Sequence, residues 1–301
     1  MSAGRRQSSN RLYHRGGSIS SLPPDARAAT VSLQGQHARL LSVGLAPALR
    51  EEDEHRLTFS QTLAALPASS SWAFHEIALP PDLSPIIASL RDGSARAVSD
   101  GSFKDKFGTS AFIIVDAHVC SIIGLNLVPG HPDDQSAYRS ELAGLFAIVL
   151  IVNLICSWAD IQSGGIEVGC DGLSALNKAF DTWPLEPSDP QFDLLSALRT
   201  MISASPLTWK TRHVPGHQDD DPSVKLDWWA TKNIEMDNLA KVFWMQHSHS
   251  ASIVYPIANE GFQVWLGNRK LSSHHSSTFF DHIHGKTILN WHASHHCFPA
   301  R

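Results

Sequence analysis

From residue 95 onward, apolar and polar positions alternate in three successive runs, which predict strands over 97–103, 109–116 and 118–128. "KDKFG" supplies the turn between the first two. A polar loop, "PGHPDDQSAYRS", then gives way to "LAGLFAIVLIVNLICSWA", Leu142–Ala159, an apolar run predicting a long helix that starts near Ser140. "GIEVGCDG", residues 165–172, predicts a fourth strand, followed by a short helix over Leu173–Phe180. Beyond the proline-rich loop "DTWPLEPSDP", the pattern predicts a helix over about 191–204 and a strand over 207–217. "ATKNIEMDNLAKVFWMQH" predicts a closing helix. The order β-β-β-α-β-α-α-β-α predicts an α/β fold, a mixed five-stranded sheet with helices on its faces.

The flanks have a different texture. Residues 1–30 are rich in Ser, Gly and Arg, with no acid before Asp25, and predict a disordered tail. Arg5, Arg6, Arg11, Arg15 and Arg27 in that setting also resemble an organellar transit peptide, although Gly16-Gly17 and weak amphipathicity favour a plain tail. Residues 31–94 hold short apolar pieces split by "LPASSSW" and "LPPDLSP", and predict a small helical lead-in without evident chemistry. Residues 248–301 form a His-rich C-terminal extension, in which "EGFQVWLGNRKLSS" reads as a short hairpin or extended segment.

Composition narrows the picture. A chain of 301 residues with 43% hydrophobic content can bury one full core. A net charge of -5 gives no global basic field, which argues against a partner held mainly through phosphate contacts but not against one held through metal ions. Cys120, Cys156, Cys170 and Cys297 form no CxxC pair, so a reducing compartment, cytoplasmic or nuclear, is expected. Seven of the 17 histidines lie between His274 and His296, yet no C2H2 or C4 spacing appears and no structural zinc site is expected in that tail. The apolar run Leu142–Ala159 is long enough to span a membrane. Glu141 at its front, Asn153 inside it, Asp160 after it and the lack of a basic C-terminal flank favour a buried core helix and no membrane partner.

Four carboxylates fall at the ends of the predicted elements. Asp100 sits in the first strand, where Asp and Gly are disfavoured. Glu141 is at the first turn of the long helix, Asp171 ends the fourth strand, and Asp237 is in the closing helix. Ligands gather at strand ends in open α/β sheets. Acids brought together there repel and are desolvated unless a cation neutralises them. Oxygen ligands without sulfur or imidazole suit Mg²⁺ or Mn²⁺, and two such ions about 4 Å apart can clamp both oxygens of a phosphodiester displacement. His217, in "VPGH", is positioned for proton transfer. Each acid also has a plainer local reading: Asp100 as a turn residue, Glu141 as a helix-dipole partner, Asp171 as an N-cap and Asp237 as a surface acid.

Taken in order, "VSDGS", "YRSEL", "VGCDG", "HVPGH" and "MDNLAK" resemble type 1 ribonuclease H over about residues 95–247. The "SAYRSELAGL" form is similar to ribonuclease H domains of retroelement (reverse transcriptase) polyproteins. The resemblance implies endonucleolytic cleavage of RNA in an RNA–DNA hybrid, leaving 5′-phosphate and 3′-hydroxyl ends. It implies two Mg²⁺ ions, with Mn²⁺ as a substitute, held by Asp100, Glu141, Asp171 and Asp237, and His217 as a mobile histidine that assists turnover. The implied partners are the hybrid and a reverse transcriptase or other retroelement domains. Tyr138 and Leu173 stand where cellular members often carry asparagine and glutamine that read the hybrid's minor groove, and no basic, Trp-bearing insertion is present, so weak hybrid affinity is expected. The triplet Asp219, Asp220 and Asp221 reads as a solvated loop, and Lys104 and Lys106 as a hairpin tip or phosphate contacts. Trp228 and Trp229 are expected to bury against the sheet rather than stack on a base. The alternative function is a catalytically inactive remnant of the same fold, acting as a nucleic-acid- or protein-binding scaffold.

Overall fold

The structure is a computed structural model that describes residues 11–14, 17–21, 26–34, 37–45, 57–116, 120–216, 218–220, 223, 225–248, 257–260, 263–266, 269–272, 278 and 282–284. The chain divides into a unit of residues 47–183 and 193–261 and another of residues 1–46, 184–192 and 262–301. The second unit contains antiparallel strand pairs. Arg11–His14 pairs with Gly17–Ser21, inside the stretch predicted to be a disordered tail, and Ala26–Gln34 pairs with His37–Leu45. Ala29, Val31 and Leu33 alternate with polar residues on one side of Gly35, a hairpin pattern that a helical expectation for this stretch overlooks. Val264–Leu266 pairs with Arg269–Leu271, as "EGFQVWLGNRKLSS" suggested. Most of the His-rich stretch 274–296 lies outside the described residues.

The first unit is built on a six-stranded sheet: β1 (Glu76–Ala78), β2 (Ala95–Lys104), β3 (Phe107–Val115), β4 (Ser121–Leu127), β5 (Gly165–Cys170) and β6 (Thr208–His213). Its order is β6-β5-β2-β3-β4-β1, with β6, β5 and β2 parallel and the other neighbours antiparallel. Five of these strands are the predicted ones; positions 118 and 119 lie outside the described residues. The sixth, β1, comes from the lead-in and pairs along the edge of β4. Asp105 and Lys106, both with left-handed φ (52° and 61°), make the two-residue β2–β3 turn, the geometry that matches strand twist.

Among the described residues, the helices of at least six residues are α1 (Phe59–Ala64), α2 (Ser84–Asp92), α3 (Ala137–Trp158), α4 (Leu173–Phe180), α5 (Phe192–Ser203) and α6 (Trp228–His247). The Ser136 side chain accepts the Arg139 N–H at 3.0 Å, so α3 begins at Ala137, earlier than the apolar run suggests. Glu141 therefore lies in the second turn, beyond the reach of a simple N-terminal dipole role. By length and composition α3 could cross a membrane, but most of it is buried in the unit. It packs on β2 and β3, and Trp72 of the lead-in stacks on its Phe146 at 4.9 Å. A helix covered on all sides is apolar on all sides, which removes the amphipathic signature.

Helix α6 packs on β2 and β3 as well. Its Trp229, Met236 and Ala240 form a core cluster with Val98, Ala111, Ile113 and Val214. Trp229 is thus buried, whereas Trp228 is half-buried with the Arg96 guanidinium 5.4 Å from its ring. The period of two along β2 turns Val98 and Asp100 toward α6, and Ser99 toward Gly144 of α3.

A carboxylate cleft at the end of the parallel strands

β2 and β5 run parallel in register, and their last paired residues are Ser99 and Cys170. The next residue on each strand is an acid, Asp100 and Asp171. Chain direction and register alone therefore bring two carboxylates to the same end of the sheet. Glu141 arrives from α3, and the glycines of the two "DG" pairs admit it. A Cβ on Gly101 would lie 2.7 Å from the backbone nitrogen of Glu141, and one on Gly172 would lie 2.8 Å from its Cγ. Asp237 comes from α6, one turn beyond Asn233. All four acids line one cleft of about 310 Å³, together with Asp219, Asn233 and Lys241.

The carboxylates of Asp100, Glu141 and Asp237 are each held by a neighbouring group. Asn233 Nδ2 donates to Asp100 Oδ2 at 3.0 Å. The Gly101 N–H donates to Glu141 Oε1 at 3.2 Å, and the Cys170 thiol donates to Oε2 at 3.1 Å. Lys241 Nζ lies 2.6 Å from Asp237 Oδ2. His213 Nε2 donates to the Asp171 carbonyl at 3.0 Å, which ties the end of β6 to that of β5. The cap residue of α4 is Gly172, with no side-chain cap bond, so the N-cap reading of Asp171 does not apply.

Burial and mutual repulsion dominate the electrostatics. Asp100 is 4% exposed; burial, then Asp171 and Asp237, push its carboxyl up to about 8. Burial, followed by Asp100 and Asp171, raises Glu141 well above the ordinary range. Ligand atoms of Glu141, Cys170 and Asp171 all lie within 4.8 Å of one another. This corrects the expectation of a set without sulfur. Burial first, then Glu141, raise the Cys170 thiol well above its usual value, so it stays a neutral donor behind Glu141 rather than a thiolate ligand. The oxygens facing the cleft remain a hard donor set, and a divalent cation is the group that converts their repulsion into attraction.

A pH dependence follows. Unfolded Asp100 loses its proton near 3.8, but in the folded, metal-free protein it keeps it to about 8. The folded state binds more protons across that window, so stability falls as pH rises through it. The thermal midpoint of EDTA-stripped protein is expected to be lower at about pH 8 than at about pH 5.5, with Mg²⁺ restoring it mainly at the higher pH. An equal Mg²⁺ response at both values would detach these carboxyls from cation binding.

His217 lies outside the described residues, as does Asp221. Gly216, just before His217, runs against Asp171: a Cβ there would lie 2.9 Å from Oδ2. Asp219 is exposed, as a solvated loop predicts, yet it lines the cleft. Leu173 is 47% exposed at the start of α4, and Tyr138 is half-buried in the first turn of α3. Lys106 pairs with Asp133 at 2.7 Å, and Lys104 Nζ sits 5.4 Å from the Trp244 ring. Sequence reasoning missed Asn233, Lys241 and Cys170. The first two had a signal: steps of four on either side of Asp237 put all three on one helix face.

No family model matches the chain, and no curated protein matches it. Solved structures similar to it cover about half its length. The N-terminal RNase H domain of Rv2228c from Mycobacterium tuberculosis, solved as a maltose-binding-protein fusion, is 15% identical over 53% of this chain and 100% of its own, with a TM-score of 0.35. RNase H1 from the halophilic archaeon Halobacterium salinarum NRC-1 is 16% identical over 48% of this chain and 98% of its own, with a TM-score of 0.31. LC11-RNase H1 in complex with an RNA/DNA hybrid is 10% identical over 49% of this chain and 94% of its own, with a TM-score of 0.35. The class rests on the chain's own architecture. A mixed sheet with three antiparallel and two parallel core strands, α3 and α6 packed on it and acids at the parallel strand ends make the fold ribonuclease H-like.

Proposed function

We propose that this chain is a divalent-metal-dependent endonuclease that hydrolyses the RNA strand of RNA–DNA hybrids. The observation that carries the proposal is the convergence of Asp100, Glu141, Asp171 and Asp237, from four separate elements, on one cleft. Those four would hold the ions, Mg²⁺ or in its place Mn²⁺. Two ions bound there would supply Lewis acidity for the attack of water and the departure of the 3′-oxygen. The protein's own part is orientation. Asn233 fixes Asp100, the Gly101 N–H and the Cys170 thiol fix both oxygens of Glu141, and Lys241 holds Asp237. His217, next in sequence to Gly216 beside Asp171, is assigned to proton transfer at the leaving group. The "SAYRSELAGL" form supports a retroelement-type enzyme working beside a reverse transcriptase.

Exposed Leu173, in place of a groove-reading amide, favours a second reading: a scaffold that binds without cutting. A labelled RNA–DNA hybrid incubated with the protein and Mg²⁺, Mn²⁺ or EDTA decides between them. Metal-dependent cutting of the RNA strand alone is expected. No cutting with either metal, from a folded sample, leaves the scaffold.

A further inference from the structure

We propose that His75, Glu76 and His247 form a second metal site, of the zinc class, that fastens the C-terminal end of α6 to the edge strand β1. Their ligand atoms all lie within 4.8 Å of one another. Bonds of about 2.0–2.1 Å put the ligand atoms of a tetrahedral zinc about 3.4 Å apart, so a small side-chain rotation closes the set. Two imidazoles and one carboxylate favour Zn²⁺ over Mg²⁺, which separates this cluster chemically from the oxygen-lined cleft. Water completes the fourth position.

His247 is oriented for this role. Its Nδ1 lies 3.0 Å from the Phe243 carbonyl oxygen. A carbonyl only accepts, so Nδ1 carries the proton and Nε2 is the basic nitrogen. Metal-bound histidines are held in the same way, with the far N–H donated to a backbone oxygen. The ring centroids of His75 and His247 are 5.1 Å apart, and both rings pack on Phe243 at 5.4 and 4.1 Å. Coordination uses both imidazoles in the neutral form. Glu76 opposite Leu125 in the β1–β4 pairing has a fixed backbone, and among the described residues it forms no ion pair. Because α6 also carries Asn233, Asp237 and Lys241, a clamp on its end steadies one wall of the carboxylate cleft.

The test uses the full chain, metal-stripped and then titrated with Zn²⁺ by calorimetry and by thermal unfolding, with excess Mg²⁺ present to occupy the carboxylates. One zinc equivalent and its rise in thermal midpoint are expected in the unsubstituted protein and in the tail control His282→Ala. Both are lost in His75→Ala and His247→Ala, and Glu76→Gln weakens binding by about tenfold or more. His247→Ala also removes ring packing, so His75→Ala and Glu76→Gln, both at exposed positions, decide the matter if it fails to fold. Unchanged zinc affinity and midpoint rise in those two variants would assign the zinc to other histidines and overturn the proposal.

Discussion

Asp171→Asn is expected to lower RNA-strand cleavage by at least about a thousandfold, roughly 4 kcal/mol of transition-state stabilisation, while making the metal-free protein more stable. The two effects share one cause. Asp171 follows the last β2–β5 pair and faces Asp100 and Glu141, and its charge helps to raise both their carboxyls. Asparagine keeps the shape and removes the charge. A metal ligand is lost, and so is a source of repulsion between buried acids. At about pH 8 the metal-free variant should melt a few degrees higher, since each kcal/mol moves the midpoint by about 2–4 °C in a domain of this size. Its Mg²⁺-dependent rise should shrink at the same time. A variant that still cuts, or one that loses stability without metal, would make Asp171 a structural acid and refute its assignment as a ligand.

Arg139→Met is expected to cost about 3–5 kcal/mol of folding stability, the largest penalty from any single substitution considered for this chain. Arg139 is fully buried in the first turn of α3, and Asp193 at the start of α5 is 5% exposed. The guanidinium grips both Asp193 oxygens at 2.8 Å and donates from Nε to the Pro129 carbonyl at 2.6 Å. One side chain thus joins two helices and a loop. Replacing it by methionine takes the bidentate countercharge from a buried carboxylate, to which Leu194 N–H still donates at 2.8 Å, and typical domains have only about 5–15 kcal/mol in total. The double variant Arg139→Met/Asp193→Leu should recover most of the loss, because an apolar pair of similar volume avoids both desolvation costs. Recovery stays incomplete because the Pro129 carbonyl loses the shorter of its two hydrogen bonds and keeps only the one from Gln135 Nε2 at 3.2 Å. Urea unfolding of the two singles and the double gives the coupling directly. A cost below about 1 kcal/mol for Arg139→Met would mean that water or another cation reaches Asp193.

The strands and helices from 95 to 247 were legible because each announces itself within a few residues: alternation for β2 to β4, a long apolar run for α3, and glycine, proline and acid punctuation between them. The four acids were legible for a related reason. Asp100 occupies a strand position where local propensity disfavours it, and the order of all four acids along the chain resembles a known set. β1 was not legible, because a three-residue strand exists only through its partner β4. The supporting groups were hidden to different degrees. Asn233 and Lys241 follow from helix spacing once Asp237 is placed, but the Cys170 thiol meets Glu141 only because β5 lies beside β2 under the start of α3.

Sequence by itself determined the elements between residues 95 and 247, their order and the acid set, since these depend on contacts a few residues long. Tertiary structure alone decided which side chains meet across the fold: Arg139 with Asp193, Asn233 with Asp100, and His75 with His247. No periodicity connects positions so far apart. The burial that raises the Asp100 and Glu141 carboxyls is likewise a property of the assembled sheet and helices, because desolvation exists only once the chain has folded around them.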